Sequence, residues 1–196
     1  MPKIDAPSLA EHRAARRRAL LDAAHELLKA NPEAPALGDV AERAGVARSS
    51  VYQYFASRRD LLAALAQDTF PRWTERITGA MAAAPTPADR VTAYALANLD
   101  LVAEGEHVVG TALAALTPGE ELDEQAHRMH RQIQEPLIAT LEELGATDPA
   151  AVAEMINGMV HAGTRLLESG HALEDVRANL LAVLGPFVAA HGGAGR

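Results

Sequence analysis

Apolar residues recur along most of this chain at intervals of three and four, the spacing of one face of an α-helix. Leu20, Ala24, Leu27 and Leu28 follow it and predict a first helix over about residues 9–30. The segment NPEAP, residues 31–35, ends that helix, because Pro32 lacks the N–H that would continue the ladder and disfavours helical backbone at Asn31. Two short helices are expected next, over about 37–44 and 48–55, separated at Gly45, which tolerates the left-handed backbone of a tight turn. The run SRRD, residues 57–60, reads as a capping box opening a fourth helix over about 58–81. Leu62, Leu65, Ala66, Thr69, Trp73 and Ile77 share one side of it, and Pro71 is expected to kink it. Thr86-Pro87, Thr117-Pro118 and Asp148-Pro149 each supply a cap and a first-turn proline. Helices are therefore expected over about 87–104, 107–116, 118–144, 149–169 and 172–191. No strand pattern and no internal repeat interrupts this all-α reading.

The stretch AERAGVARSSVYQYF, residues 41–55, is polar on one side and broken at a glycine. Its two short helices fit a helix-turn-helix. Val40, Ala44, Val46 and Val51 are apolar where the helices must touch, and Ala41 is small where they cross. With Val51 and Phe55 turned inward, Arg48, Ser49, Tyr52 and Gln53 face outward. Arginine reads guanine bidentately, glutamine reads adenine, and serine serves either. Tyrosine hydroxyls and Arg58 can hold phosphates.

Charge sharpens this picture. The chain carries a formal net charge of −8, yet residues 1–60 hold 10 Lys and Arg against 8 Asp and Glu, while residues 61–196 hold 8 against 18. The acidity lies in the C-terminal two-thirds, and Arg13, Arg16, Arg17 and Arg18 cluster near the start. The absence of cysteine excludes disulfides, cysteine–zinc sites and thiol nucleophiles. No run approaches the roughly 18 apolar residues of a membrane span, and no apolar run follows the basic N-terminus as in a secretory signal. A cytoplasmic protein is expected.

The segments RALLDAAHELLKA and GDVAERAGVARSSVYQYFASRRDLLAAL resemble the N-terminal domain of the TetR family of transcriptional regulators. The resemblance covers about residues 16–65. It rests on the D-V-A-x-x-A-G-V core, the Y-x-Y-F end and the S-R-R-D-L-L start of the fourth helix, all in order. It implies a three-helix DNA-binding domain, residues 1–60, and a helical ligand-binding and dimerisation domain, residues 61–196. The family's base contacts fall on Arg48, Ser49, Ser50 and Gln53, and its phosphate contacts on Tyr52, Tyr54 and Arg58. Two positions depart from the family pattern. Ala36 stands where Thr or Ser usually caps the second helix and touches phosphate, and Ala47 where Ser often opens the third. The basic cluster at residues 13–18 is expected to compensate by reaching the DNA backbone or minor groove.

Other chemistries fit less well. Glu-x-x-His, the spacing of di-iron carboxylate helices, occurs at Glu104/His107, Glu124/His127 and Glu168/His171. Glu104 and Glu168 lie beside Gly105 and Gly170, at predicted helix ends rather than bundle centres, so no metal or cofactor is expected. No glycine-rich phosphate loop or serine elbow supports an enzyme. Trp73, Tyr94, Asn98, Met129, Met155 and Met159 are the candidate ligand-pocket residues; Asn98 puts a polar group on an otherwise apolar face, and methionines line adaptable cavities. Val152, Met155, Ile156, Met159, Val160, Leu166 and Leu167 cover more than one face of a helix, as do Val176, Leu180, Val183, Leu184, Phe187 and Val188 in the next. One chain cannot readily bury all of these, so a homodimer is expected, with Gly158 and Ala162 permitting close approach. The resulting expectation is a ligand-responsive regulator, a repressor released from a double-stranded DNA operator by a small molecule. The alternative is an all-helical small-molecule or metal-binding protein that does not bind DNA.

Overall fold

The computed structural model describes residues 9–116 and 120–192. Among the described residues there are nine helices and no strand. They are α1 (Leu9–Ala30), α2 (Leu37–Arg43), α3 (Arg48–Val51), α4 (Arg58–Ala83), α5 (Pro87–Ala103), α6 (Glu106–Leu116), α7 (Glu120–Glu143), α8 (Pro149–Glu168) and α9 (Leu173–Gly192). The Thr117-Pro118 start expected for the seventh helix lies outside the described residues.

The helix starts follow from local chemistry. Ser57, Thr86 and Asp148 each accept a hydrogen bond from the backbone N–H three residues on, all at 3.1 Å. Each satisfies one N–H that an α-helix leaves without an internal partner. Pro87 and Pro149 occupy first-turn positions, where their missing N–H costs nothing. α4 continues through Pro71.

The described residues divide into two compact units, one drawn from Met1–Asp68 and Val108–Leu122, the other from Thr69–His107 and Asp123–Arg196. In the first, Leu20, Leu21, Ala24 and Leu28 of α1 are buried, as are Val40, Val51, Leu61, Leu65 and, from α6, Val109 and Leu113. Each leucine so buried contributes on the order of 1.5–3 kcal/mol. Arg18 is tied down here. Its Nε donates to Asp22 Oδ1 at 2.9 Å and its Nη1 to Asp68 Oδ1 at 2.5 Å. The Asp22 hydrogen bond, reinforced by Asp68, raises the guanidinium pKa further above its ordinary value.

In the second unit, Leu99, Leu137, Leu141, Ile156 and Leu184 are fully buried in one core shared by α5, α7, α8 and α9. Close approach occurs at Gly163, where a Cβ would lie 2.6 Å from Leu99 Cδ2. Gly158, expected from sequence to permit close approach at a dimer face, is exposed in the single chain, with no neighbouring atom near its missing side chain.

Candidate nucleic-acid interface

The recognition turn is built from the inside out. Val51 and Phe55, one helical turn apart, are 0% and 3% exposed, beside buried Val40 and Ala41. Gly45 has φ +68°, the left-handed backbone expected of it, and the Val46 N–H returns to Ala41 O at 2.9 Å. Neither Ala36 nor Ala47 makes a side-chain cap, as their lack of a hydrogen-bonding group requires.

α3 is shorter than the sequence pattern predicts, four residues rather than eight. The chain keeps turning, however. Gln53 N–H bonds to Ser50 O and Tyr54 N–H to Val51 O, at 3.1 and 3.0 Å. These three-residue bonds are the tighter winding common at helix ends. Phe55 can therefore still reach the core one turn after Val51.

The side chains named for DNA contact fall into two groups. Arg48, Ser49, Gln53 and Arg58 are exposed, and Tyr52 is 59% exposed, which is unusual for so large an apolar ring. Ser50 and Tyr54 are half-buried. The Arg48 guanidinium lies across Gly38 of α2; a Cβ at Gly38 would sit 2.5 Å from Nη2. Two residues of the basic cluster expected to reach DNA lie beside this turn. The Arg13 guanidinium stands 6.0 Å over the Tyr54 ring and that of Arg17 stands 5.8 Å over the Phe55 ring. The signal available in sequence was their spacing of four on α1, which places both on one face. A surface depression of about 350 Å³ is lined by Ala10, Arg13, Ala14, Arg17, Gln53 and Tyr54.

The residues named for a ligand are distributed within the second unit. Trp73 Nε1 donates to Glu106 Oε2 at 2.8 Å, and its ring packs tilted on Phe70 at 5.6 Å. Tyr94 donates its hydroxyl to Asn157 Oδ1 at 2.7 Å, and Asn98 Nδ2 donates to Tyr94 O at 2.8 Å. Burial, aided by the Glu154 charge, pushes the Tyr94 phenol up to about 12. Met129 and Met159 are half-buried. Met155 is 70% exposed in the single chain, on the stripe of α8 also expected to meet a second copy. Its place on α8 turns it outward, one position before buried Ile156.

Polar links ring the turn at Gly105. Arg76 Nη2 donates to Glu104 Oε1 at 2.8 Å, Arg177 Nε to Asp100 Oδ1 at 3.1 Å, and His107 Nε2 lies 3.6 Å from Glu168 Oε1. Among the described residues, no three His, Asp or Glu side chains gather to hold a metal ion.

Residues 20–65 match the model of the bacterial regulatory proteins of the tetR family. The HTH-type transcriptional repressor LfrR of Mycolicibacterium smegmatis is 57% identical over 51 residues, which are 26% of this chain and 26% of that repressor's length. Solved structures match over most of the chain. The TetR-like regulator LfrR from Mycobacterium smegmatis, in complex with proflavine, is 26% identical with a TM-score of 0.65, covering 87% of this chain and 95% of that one. The regulator FadR from Bacillus subtilis, in complex with stearoyl-CoA, is 21% identical with a TM-score of 0.66, covering 85% and 96%.

Proposed function

We propose that this chain, whose residues 20–65 match the tetR family model, is a homodimeric repressor of that family, cytoplasmic in location, that leaves its operator when a small molecule binds. The observation that carries this reading is the recognition turn, where Val51 and Phe55 lock into the core and leave Arg48, Ser49, Tyr52 and Gln53 outside. In this reading residues 1–60 bind DNA, and residues 61–196 bind the ligand and form the dimer. Arg48, Ser49, Ser50 and Gln53 read bases; Tyr52, Tyr54 and Arg58 hold the backbone. A gel shift with DNA flanking its own gene tests the reading. A retarded band that specific competitor removes supports it, and no band at low salt defeats it.

The ligand is proposed to be a planar cation. Trp73 offers an aromatic face, and its indole N–H is held by the Glu106 carboxylate. An aromatic surface beside a carboxylate suits a delocalised cation. LfrR binds one such compound, proflavine. The stearoyl-CoA bound by FadR carries several phosphate charges, whereas residues 61–196 here hold 18 Asp and Glu against 8 Lys and Arg. Stabilising a multiply anionic ligand in that setting is unfavourable. Thermal shift separates the two classes, since a bound ligand raises the melting temperature. Proflavine is expected to raise it and stearoyl-CoA to leave it unchanged; the reverse result overturns the assignment.

A further inference from the structure

We propose that Arg13 and Arg17 of α1 form a second seat for the DNA backbone, a pair of guanidinium groups held ready by Tyr54 and Phe55 beside the recognition turn. This rests on the DNA-binding reading above and deepens it, separating within the basic cluster of α1 the two arginines that would hold the backbone from those that would not.

The arginines of α1 sort by what they touch. Arg18 is consumed by Asp22 and Asp68 and serves the fold. Arg13 and Arg17 are exposed, and among the described residues neither has a carboxylate partner. Instead each guanidinium is parked over a ring, Arg13 on Tyr54 and Arg17 on Phe55. A guanidinium over an aromatic ring is attracted by its electron-rich face, and that attraction leaves N–H groups available to a second partner. Those groups match two phosphate oxygens at once. Holding a long side chain in place beforehand also lowers the entropy lost on binding.

The site has a shape as well as a charge. Arg13 and Arg17 border a depression whose other lining residues are Ala10, Ala14, Gln53 and Tyr54. The two alanines keep its floor low. Gln53 is the residue assigned to a base and Tyr54 the one assigned to a phosphate, so the depression adjoins the stretch of backbone next to the base read by Gln53. The seat would replace the phosphate contact that Ala36 cannot make.

The test is the salt dependence of binding to a fluorescent random-sequence duplex, measured with the full chain. Each phosphate neutralised adds about 0.9 to the slope of log affinity against log salt. Arg13→Gln/Arg17→Gln is expected to flatten the slope by roughly 1.8 and weaken binding roughly 10- to 100-fold near 0.1 M salt. Both positions are exposed, so the melting temperature is expected to hold. Arg16→Gln removes one charge from the same helix without a ring beneath it, and is expected to change the slope far less. An unchanged slope in the double variant overturns the inference while leaving the helix-turn-helix reading in place. So does an equal loss per charge from Arg16→Gln, which would show a diffuse field only. A wild-type chain that binds no duplex overturns both.

Discussion

At Gly38 the missing side chain matters, because the Arg48 guanidinium occupies the space a Cβ would need. Gly38 lies inside α2 and does not have the positive φ that restricts substitution. Gly38→Ala should therefore stabilise the helix by about 1 kcal/mol. It should also push Arg48 off its resting place, since the clashing atoms are the far end of a flexible side chain. The expected outcome is a melting temperature that is unchanged or higher, with altered preference at one operator base pair. Arg48→Ala should relax that same base pair and cost roughly 1–3 kcal/mol of specific binding. Melting curves and a binding series over operators mutated at single positions check both. If the two variants disturb different base pairs, Arg48 does not read DNA from the place it rests on.

At the scale of elements, the Tyr94–Asn157 hydrogen bond ties α5 to α8 inside an apolar core. The folded state holds the phenol neutral up to about pH 12, whereas the unfolded chain ionises it near its ordinary value of 10. Between those values the unfolded state binds fewer protons, so stability falls as pH rises. The loss should reach about 2–3 kcal/mol. Tyr94→Phe should remove that alkaline loss while costing about 1 kcal/mol at neutral pH, where Asn157 Oδ1 loses its donor. Denaturant titrations at pH 8 and above check this, and an unchanged alkaline slope would show that Tyr94 does not titrate as described. The helices themselves were legible in sequence because their signals are local. Ser57, Thr86 and Asp148 cap helices at the places their neighbours require, and Gly45 turns the chain as its φ demands. What could not be read depends on residues far apart in the chain. Periodicity alone carried the third helix to residue 55, but backbone geometry after Val51 tightened instead. Arg13 meeting Tyr54, and Trp73 meeting Glu106, are products of packing that no spacing announces. Met155 shows the same limit: an apolar residue at helical spacing does not say which of two adjacent stripes faces the core.

For the whole molecule, those two stripes decide the assembly. On α8, Ala153, Ile156, Val160 and Gly163 are buried, while Val152, Met155, Met159, Ala162 and Leu166 form a second stripe that is half-buried or exposed. On α9, Val176, Leu180, Leu184 and Val188 are buried, yet Leu181 is 38% and Val183 66% exposed. No charged residue occurs between Arg177 and His191. An uncharged apolar face of this kind is costly to leave in water and suits a second copy of the chain. Two copies would present two recognition turns, and an operator with half-sites in successive major grooves requires both at once. Val183→Glu places a charge on the open face without touching the core, so each chain should stay folded. Sedimentation at micromolar concentration is then expected to shift from dimer to monomer. Binding to a duplex with two half-sites should fall steeply, because the second contact is no longer tethered to the first. Binding to a single half-site should change little. A variant that remains dimeric would move the interface away from Val183. One that becomes monomeric yet binds the paired half-sites as tightly as wild type would separate dimerisation from operator recognition.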